Sequence, residues 1–355
     1  MPRLPPSLFW RARREISPMV AQLLPACRDL ESATNELRWI REHVRDTESP
    51  VPPGLRVWEL VEKRGKGVPL QYVLGTQPFG DLEIKCKPGV LIPRPETESY
   101  TLHLASLLSQ PTRPPPSSLN ILDLCTGTGC IPLLLLSSLL SSLPREVPIH
   151  LQGVDVSPLA ITLARQNYAH NISLGNLPPP RTSSEKHTLT FTQADIFTPN
   201  FLSSLLRSSH PQSQRLDLLV SNPPYISPSH YRTTTARSVR NYEPVLALVP
   251  SSLDPAVAQR YRCDPADVFY ARILELSGVL RPRRVFVEVG GLEQAGRVVA
   301  LAMGREDVNR VYGRVEVWRD EPGLGGSKVE VVGGREVVVR GEGSGRGVYL
   351  ERIGE

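Results

Sequence analysis

Five short apolar runs constrain this chain more than any other feature. Leu119–Leu124, Ile149–Val156, Leu189–Ala194, Leu216–Val220 and Val285–Val289 each have the length of a strand, with helical segments between them. A parallel strand pair needs a crossover long enough to hold a helix, so this alternation predicts an α/β domain: a parallel sheet covered by helices on both faces. The runs end on polar or glycine signals. The first is followed by Cys125-Thr126-Gly127-Thr128-Gly129; the others end at Asp155, Asp195, Asn222 and Gly290-Gly291. Ligands of open α/β sheets bind at the carboxyl ends of the strands, so all these signals are expected along one edge.

Composition excludes several alternatives. No apolar run reaches the roughly 18 residues that a membrane span needs. The most apolar stretch, Ile131–Leu143, is interrupted by Pro132 and four serines, and reads as a buried helix. The five cysteines are scattered, with neither C-x-x-C nor H-E-x-x-H, so no metal site or disulfide framework is expected and a reducing compartment is the natural setting. Lys and Arg number 41 against 36 acids, a net charge of +5 that permits a nucleic-acid partner without requiring one. The 35 prolines are expected in loops. Arg3, Arg11, Arg13 and Arg14 all precede the first acid, Glu15. That start fits either a mitochondrial transit peptide or a basic first helix beginning near Pro6.

Residues 1–75 are expected to form a helical domain. Ser32 can cap a helix carrying Ala33, Leu37, Ile40 and Val44 on one face, and a second helix, Leu55–Lys63, runs into Gly65 and Gly67. Residues 76–118 are expected to connect: short strand-like runs between Pro69 and Glu98, then a polar linker at 111–118. The sheet domain occupies 119–355. Loop excursions are expected at 176–186, 198–215 and 249–267. The segment 321–347 holds nine glycines, and Val329–Val332 and Glu336–Val339 flank Gly333-Gly334, which predicts a hairpin insertion.

Chemistry is carried by the strand ends. A glycine-bearing turn lets a ligand approach the backbone, and the helix after it offers free N–H groups. Pro132 stands at the third-glycine position, against a nicotinamide dinucleotide site. Asp155 can accept from ribose hydroxyls, and Asp195 can meet an adenine amino group while Ile196 packs on the ring; alone, each acid is as readily a helix cap. In series they favour an adenosine site. Asn222-Pro223-Pro224-Tyr225 decides the reaction class. Two prolines stiffen the backbone and cannot donate, so carbonyls and the Asn222 amide oxygen present acceptors to a planar NH2 group, with Tyr225 as a stacking surface.

Asp123-x-x-Thr126-Gly127-x-Gly129 followed by Asn222-Pro223-Pro224-Tyr225 resembles the S-adenosylmethionine-dependent amino methyltransferases. Pro69–Gly75, the run Pro93-Arg94-Pro95-Glu96-Thr97-Glu98, Glu243-Pro244 and Ala247-Leu248 narrow the resemblance to the release-factor glutamine N5-methyltransferases, the HemK/PrmC family. It spans about residues 20–300. The resemblance implies a seven-stranded Rossmann-like class I methyltransferase sheet behind a substrate-binding N-terminal helical domain. It implies S-adenosylmethionine held by Cys125–Gly129, Asp155, Asp195, Ile196 and Asn222, a substrate glutamine at Asn222, Pro223, Pro224 and Tyr225, and a substrate loop at Pro93–Glu98. The implied partner is a peptide chain release factor, methylated on the glutamine of its Gly-Gly-Gln motif. With the arginine-rich start, a mitochondrial protein is expected, a cytoplasmic one being the alternative, and a monomer without direct nucleic-acid or membrane binding. Cys125 departs from the pattern, standing where many members have glycine. The rival readings are an adenine-N6 methyltransferase acting on DNA or RNA, which uses a similar corner, and a non-catalytic module of the same fold.

Overall fold

The structure is a computed structural model that describes residues 3–110, 118–179, 187–208, 215–250 and 255–353. The chain divides into two compact units: residues 1–77 with 86–88 and 235–243, and the remainder.

The first unit is helical. It holds α1 (Pro6–Arg11), α2 (Pro18–Cys27), α3 (Leu30–Asp46), α4 (Pro53–Gly65) and α5 (Leu70–Leu74). The α3 stripe Ala33, Leu37, Ile40 and Val44 is buried, as its spacing requires, against Leu23, Leu24, Val57 and Val61. Its cap differs from the sequence expectation. Asp29, not Ser32, is the N-cap, and its carboxylate accepts the Ser32 N–H at 2.8 Å. Both residues are cap formers; the earlier one prevails because Leu30 and Glu31 continue the helix without strain. The Arg64 guanidinium grips Glu36 at 2.6 and 2.9 Å. Burial, with the Glu36 charge beside it, pushes the Cys27 thiol up to about 12.

Between Pro69 and Glu98 the expected strand-like stretch is only partly extended. Strands β1 (Thr76–Phe79) and β2 (Leu82–Lys85) form a two-stranded sheet, but α5 precedes them and α6 (Pro95–Leu108) begins inside the Pro-Arg-Pro-Glu-Thr-Glu run. Proline at the first helical position has its φ pre-set, and Glu96 and Glu98 complement the positive end of the helix. The linker at 111–117 lies outside the described residues.

The second unit carries the main sheet. Its elements are β3 (Leu119–Leu124), α7 (Cys130–Ser142), β4 (Ile149–Asp155), α8 (Pro158–Ser173), β5 (His187–Gln193), α9 (Phe201–Ser208), β6 (Leu218–Ser221), α10 (Pro228–Thr233), α11 (Arg237–Tyr242, in the first unit), α12 (Pro255–Tyr261), α13 (Val268–Leu280), β7 (Arg284–Glu288), α14 (Leu292–Gly304), α15 (Glu306–Asn309), β8 (Arg314–Glu321), β9 (Ser327–Val332), β10 (Arg335–Arg340) and β11 (Glu342–Glu351). The order is β5-β4-β3-β6-β7-β11-β8-β10-β9. Strands β3 to β7 are mutually parallel, and β11 lies antiparallel between β7 and β8. Five parallel strands with the antiparallel β11 beside them give the expected α/β sheet, but it holds nine strands where seven were expected. The helix α9 interrupts the loop expected at 198–215, where Phe201 and Leu205 bury against the core.

The glycine-rich segment forms the expected hairpin, β9 against β10, but joins the sheet: β10 pairs in parallel with β8, extending it to nine strands. Gly333 and Gly334, at φ 60° and 77°, make the two-residue turn. A Cβ on Gly296 of α14 would meet the Gly333 nitrogen at 2.8 Å, so the turn packs directly on that helix. Glu316 of β8 is 2% exposed, and it accepts from Arg314, from Trp318 Nε1 at 2.9 Å and from Arg340 of β10 at 2.9 Å.

Apolar layers cover both faces of the sheet. One joins α13 and α14 to the strands through Tyr270, Ile273, Leu274, Val298 and Val299. The other holds α6 and α7 through Tyr100, Leu104, Leu133 and Leu136, with Trp318 stacked on Tyr349 at 4.8 Å. α7 is buried almost throughout, as its composition demands.

Candidate active site

The strand order reverses at β3: β4 and β5 lie on one side, β6 and β7 on the other. A crevice opens beyond the carboxyl ends at such a point. It holds a cavity of about 240 Å³, lined by Val90, Pro93, Arg94, Thr97, Cys125–Thr128, Asp155, Asp195, Ile196, Phe197, Asn222, Pro224, Leu246 and Phe269 among others. All lie in the second unit.

The first wall is the turn after β3. Cys125, Gly127 and Gly129 have φ of 62°, 55° and 78°, so the turn passes through the left-handed region three times, once on a residue with a side chain. A Cβ on Gly127 would meet nothing within 4 Å, whereas one on Gly129 would lie 3.0 Å from Ala164 and 3.1 Å from Phe191. Gly127 therefore leaves open space on the cavity side and Gly129 packs against α8; Gly129 does not line the cavity. Gly129 is also the N-cap of α7, with no side chain capping it. From the other side, Asn167 of α8 donates to the Thr128 carbonyl at 2.9 Å.

Asp155 ends β4. Its Oδ2 accepts the Gly127 N–H and its Oδ1 the Ser157 N–H, both at 2.9 Å. Ser157, not Asp155, is the N-cap of α8. Each oxygen keeps a lone pair for a ligand while the carboxylate braces the turn. Burial raises its pKa, and those backbone donors oppose the rise. Asp195 accepts the Phe197 N–H at 2.9 Å through Oδ1. Beside it Ile196, Phe197 and Phe269 make an apolar wall, the two phenyl rings edge to face at 5.0 Å.

The Asn-Pro-Pro-Tyr corner follows β6 and is fastened along its length. The Ser221 hydroxyl donates to the Leu124 carbonyl at 2.7 Å. Tyr225 OH donates to Glu288 at 3.2 Å, and Gln294 Nε2 donates to the Tyr225 carbonyl at 3.2 Å. The Ile226 N–H donates to the Leu248 carbonyl at 2.8 Å, which ties the corner to the Pro244–Leu248 stretch. Asn222 and Pro224 line the cavity; Pro223 is buried beside them, and Tyr225 turns its hydroxyl back to Glu288. Burial, with the Glu288 charge near it, pushes the phenol well above its ordinary range.

Of the six residues of the lead-in run, Pro93, Arg94 and Thr97 reach the cavity. Pro95, Glu96 and Glu98 do not line it. Sequence reasoning missed the aromatic pair Phe197 and Phe269, the cavity-lining residues Val90 and Leu246, and the two supports Asn167 and Glu288. Phe197 next to Ile196, Val90 beside the Pro93–Glu98 run and Leu246 between Pro244 and Ala247 were usable signals. Phe269, Asn167 and Glu288 come from distant segments and had none.

The acceptors, open glycine turn and apolar wall fit an adenosyl group. Asp123 at the end of β3 is fully buried; burial pushes its pKa up to about 8, and the Thr126 hydroxyl opposes the rise. The sheet order, with the glycine turn and two strand-end acids facing one crevice, is the architecture of the class I S-adenosylmethionine-dependent methyltransferases. No protein-family model matches the chain. It is 38% identical over 254 residues to the mitochondrial MRF1 N(5)-glutamine methyltransferase MTQ1 of Saccharomyces cerevisiae, covering 70% of this chain and 68% of that protein. A relative from Schizosaccharomyces pombe is 36% identical over 251 residues, covering 70% and 73%. The release factor glutamine methyltransferase of Nitratidesulfovibrio vulgaris is 33% identical over 272 residues, covering 75% and 73%. The chain belongs to the family of release-factor glutamine methyltransferases.

Proposed function

We propose that this protein transfers the methyl group of S-adenosylmethionine to the side-chain amide nitrogen (N5) of the glutamine in the Gly-Gly-Gln motif of a peptide chain release factor, and that it acts in mitochondria. One observation carries the reading: Asn222 and Pro224 share a cavity with the glycine turn, Asp155 and Asp195. The relatives named for a mitochondrial release factor are fungal, and the compartment is proposed from them alone; the arginine-rich start forms the first helix expected near Pro6, with Ala12 buried behind it.

When bound, S-adenosylmethionine supplies a sulfonium-activated methyl group. Cys125–Thr128, Asp155, Asp195 and Ile196 would hold it, and Phe197 and Phe269 would supply apolar wall. An amide nitrogen is a poor nucleophile, because its lone pair is shared with the carbonyl. The protein's contribution is placement. The Asn222 amide oxygen, on the cavity wall, accepts one hydrogen of the substrate amide; the second is assigned to the backbone carbonyl of the adjoining Pro223, which is itself outside the lining, and the stiff corner aims the nitrogen. Such positioning supplies up to about 7–11 kcal/mol. The apolar wall excludes water, which favours a transition state in which charge is dispersing. No general base is needed before transfer, since the proton leaves afterwards. The helical residues 1–75 are assigned to holding the substrate protein; Pro93, Arg94 and Thr97 line the cavity.

The experiment is incubation with S-adenosylmethionine and a release factor, followed by mass spectrometry of its Gly-Gly-Gln peptide. A gain of about 14 Da, one methylene, on that glutamine is the expected result. Methylation of an oligonucleotide instead establishes the adenine reading; binding without transfer to either establishes the non-catalytic one. Asn222→Ala lowers transfer at least about 100-fold with cofactor binding retained; near-normal transfer by that variant removes Asn222 from its role.

A further inference from the structure

We propose that Glu288, acting through the Thr97 hydroxyl, sets which end of the Asn222 amide faces the substrate, and so is a positioning residue for methyl transfer. The inference rests on the role given to Asn222 above. Asparagine presents a donor at one end and an acceptor at the other, and the two ends are nearly isosteric. Only the oxygen can accept a hydrogen from the substrate amide. A reversed Asn222 would set NH2 against NH2. Something must select the orientation before the substrate arrives.

The selecting chain is visible. Glu288 ends β7 and is 1% exposed. Its two oxygens receive two hydroxyls: Thr97 Oγ1 donates to Oε2 at 2.7 Å, and Tyr225 OH donates to Oε1 at 3.2 Å. An ionised carboxylate has no hydrogen to return, so the single hydrogen of Thr97 is committed to it and Thr97 Oγ1 can only accept from its other neighbour. That neighbour is Asn222 Nδ2, at 3.5 Å. The contact is long, as such contacts often are before a substrate binds. Its sign is nevertheless fixed. With the amide reversed, Asn222 Oδ1 would face the lone pairs of a hydroxyl that has no hydrogen left to offer. The carboxylate thus governs both ends of the corner, Tyr225 directly and Asn222 through one hydroxyl. Burial raises the Glu288 pKa above the ordinary carboxylate value, and Thr97, Arg346, Tyr100 and Tyr225 oppose the rise.

A structural role for the same bonds, tying α6 to β7, would be felt as stability alone. Methyl transfer to a release factor, measured in parallel with calorimetric binding of S-adenosylmethionine, separates the two. Thr97→Val keeps the shape and removes the hydroxyl; Thr97→Ser keeps the hydroxyl. The valine variant is expected to lose about tenfold in kcat, roughly 1.4 kcal/mol, with KM and cofactor affinity unchanged within about twofold; the serine variant is expected within about threefold of wild type. In an Asn222→Asp background both ends accept, and the further effect of Thr97→Val is expected to shrink below about twofold. Wild-type kcat in Thr97→Val, or equal losses in the valine and serine variants, overturns the proposal. If Thr97→Val fails to bind cofactor, Thr97→Ala against Thr97→Ser is read by the same criteria. A wild-type protein that leaves the release factor unmethylated defeats the functional reading instead, so the two failures are distinct.

Discussion

The Asn167 side chain joins the backbone of Thr128 to that of Lys85. Its Nδ2 donates to the Thr128 carbonyl at 2.9 Å, and its Oδ1 accepts the Lys85 N–H at 2.7 Å. One helical turn on, Asn171 does the same for Glu83, accepting its N–H at 3.0 Å and donating to its carbonyl at 2.9 Å. Two asparagines at i and i+4 on α8 thereby stand in for a neighbouring strand. Asn167→Ala leaves buried backbone groups unpaired and should cost about 2–4 kcal/mol. It should also weaken S-adenosylmethionine binding about tenfold, because the Thr128 turn loses its support. Thermal unfolding and calorimetry check both; unchanged cofactor affinity would show that the turn holds its shape unaided.

Cys125 occupies the left-handed region at φ 62°. A side chain there costs about 1–2 kcal/mol. Cys125→Gly relieves that strain while freeing the unfolded chain, so stability should change by less than about 1 kcal/mol and cofactor binding should persist. Cys125→Val, branched at Cβ, should destabilise by more than about 2 kcal/mol. Denaturant melts of the two variants supply the comparison.

Gly153 tests close packing without backbone strain. It lies in β4 outside the positive-φ residues, yet a Cβ there would sit 2.7 Å from both Phe191 Cδ1 and Thr126 Oγ1. Gly153→Ala should destabilise by about 1–3 kcal/mol and displace Thr126, so cofactor affinity should fall with stability. A variant with lowered stability and wild-type affinity would separate Thr126 from the binding surface.

Asp123 makes stability depend on pH. Its carboxyl is raised from 3.8 to about 8 by burial. Across that window the folded chain keeps a proton that the unfolded chain has released, so stability is fully present below the unfolded value and is lost as pH rises towards about 8. The raised pKa values of Asp155, Asp217 and Glu288 act in the same direction. Asp123→Asn removes its share, and the cofactor-free protein should then lose roughly 2–5 kcal/mol less between pH 4 and 8. Melting temperatures at a series of pH values measure the slope; an identical slope in the variant would assign it to the other carboxyls.

The parts legible in the sequence are those where local chemistry and tertiary role coincide. The strand ends at Asp155 and Asn222 could be read because an apolar run stops on a polar residue. The Gly333-Gly334 turn could be read because its backbone demands glycine. Leu70–Leu74 and the start of α6 were obscured because Ile84, Val90 and Ile92 give their surroundings a strand-like alternation that outweighs the start signal of Pro95, Glu96 and Glu98. The supports of the site were out of reach for another reason. Thr97 and Glu288 are 191 residues apart in the chain, and neither carries a local mark of the other. A buried glutamate at a strand end reads the same whether it caps a helix, pairs with arginine or receives two hydroxyls.

Arg340 reaches Glu316 from the hairpin, and Gly333 rests on Gly296. Shortening the chain by excising 321–347 would therefore strip a submerged anion of one of its two cations and bare the flank of α14, so what reads as an accessory in the chain behaves in the fold as a clasp.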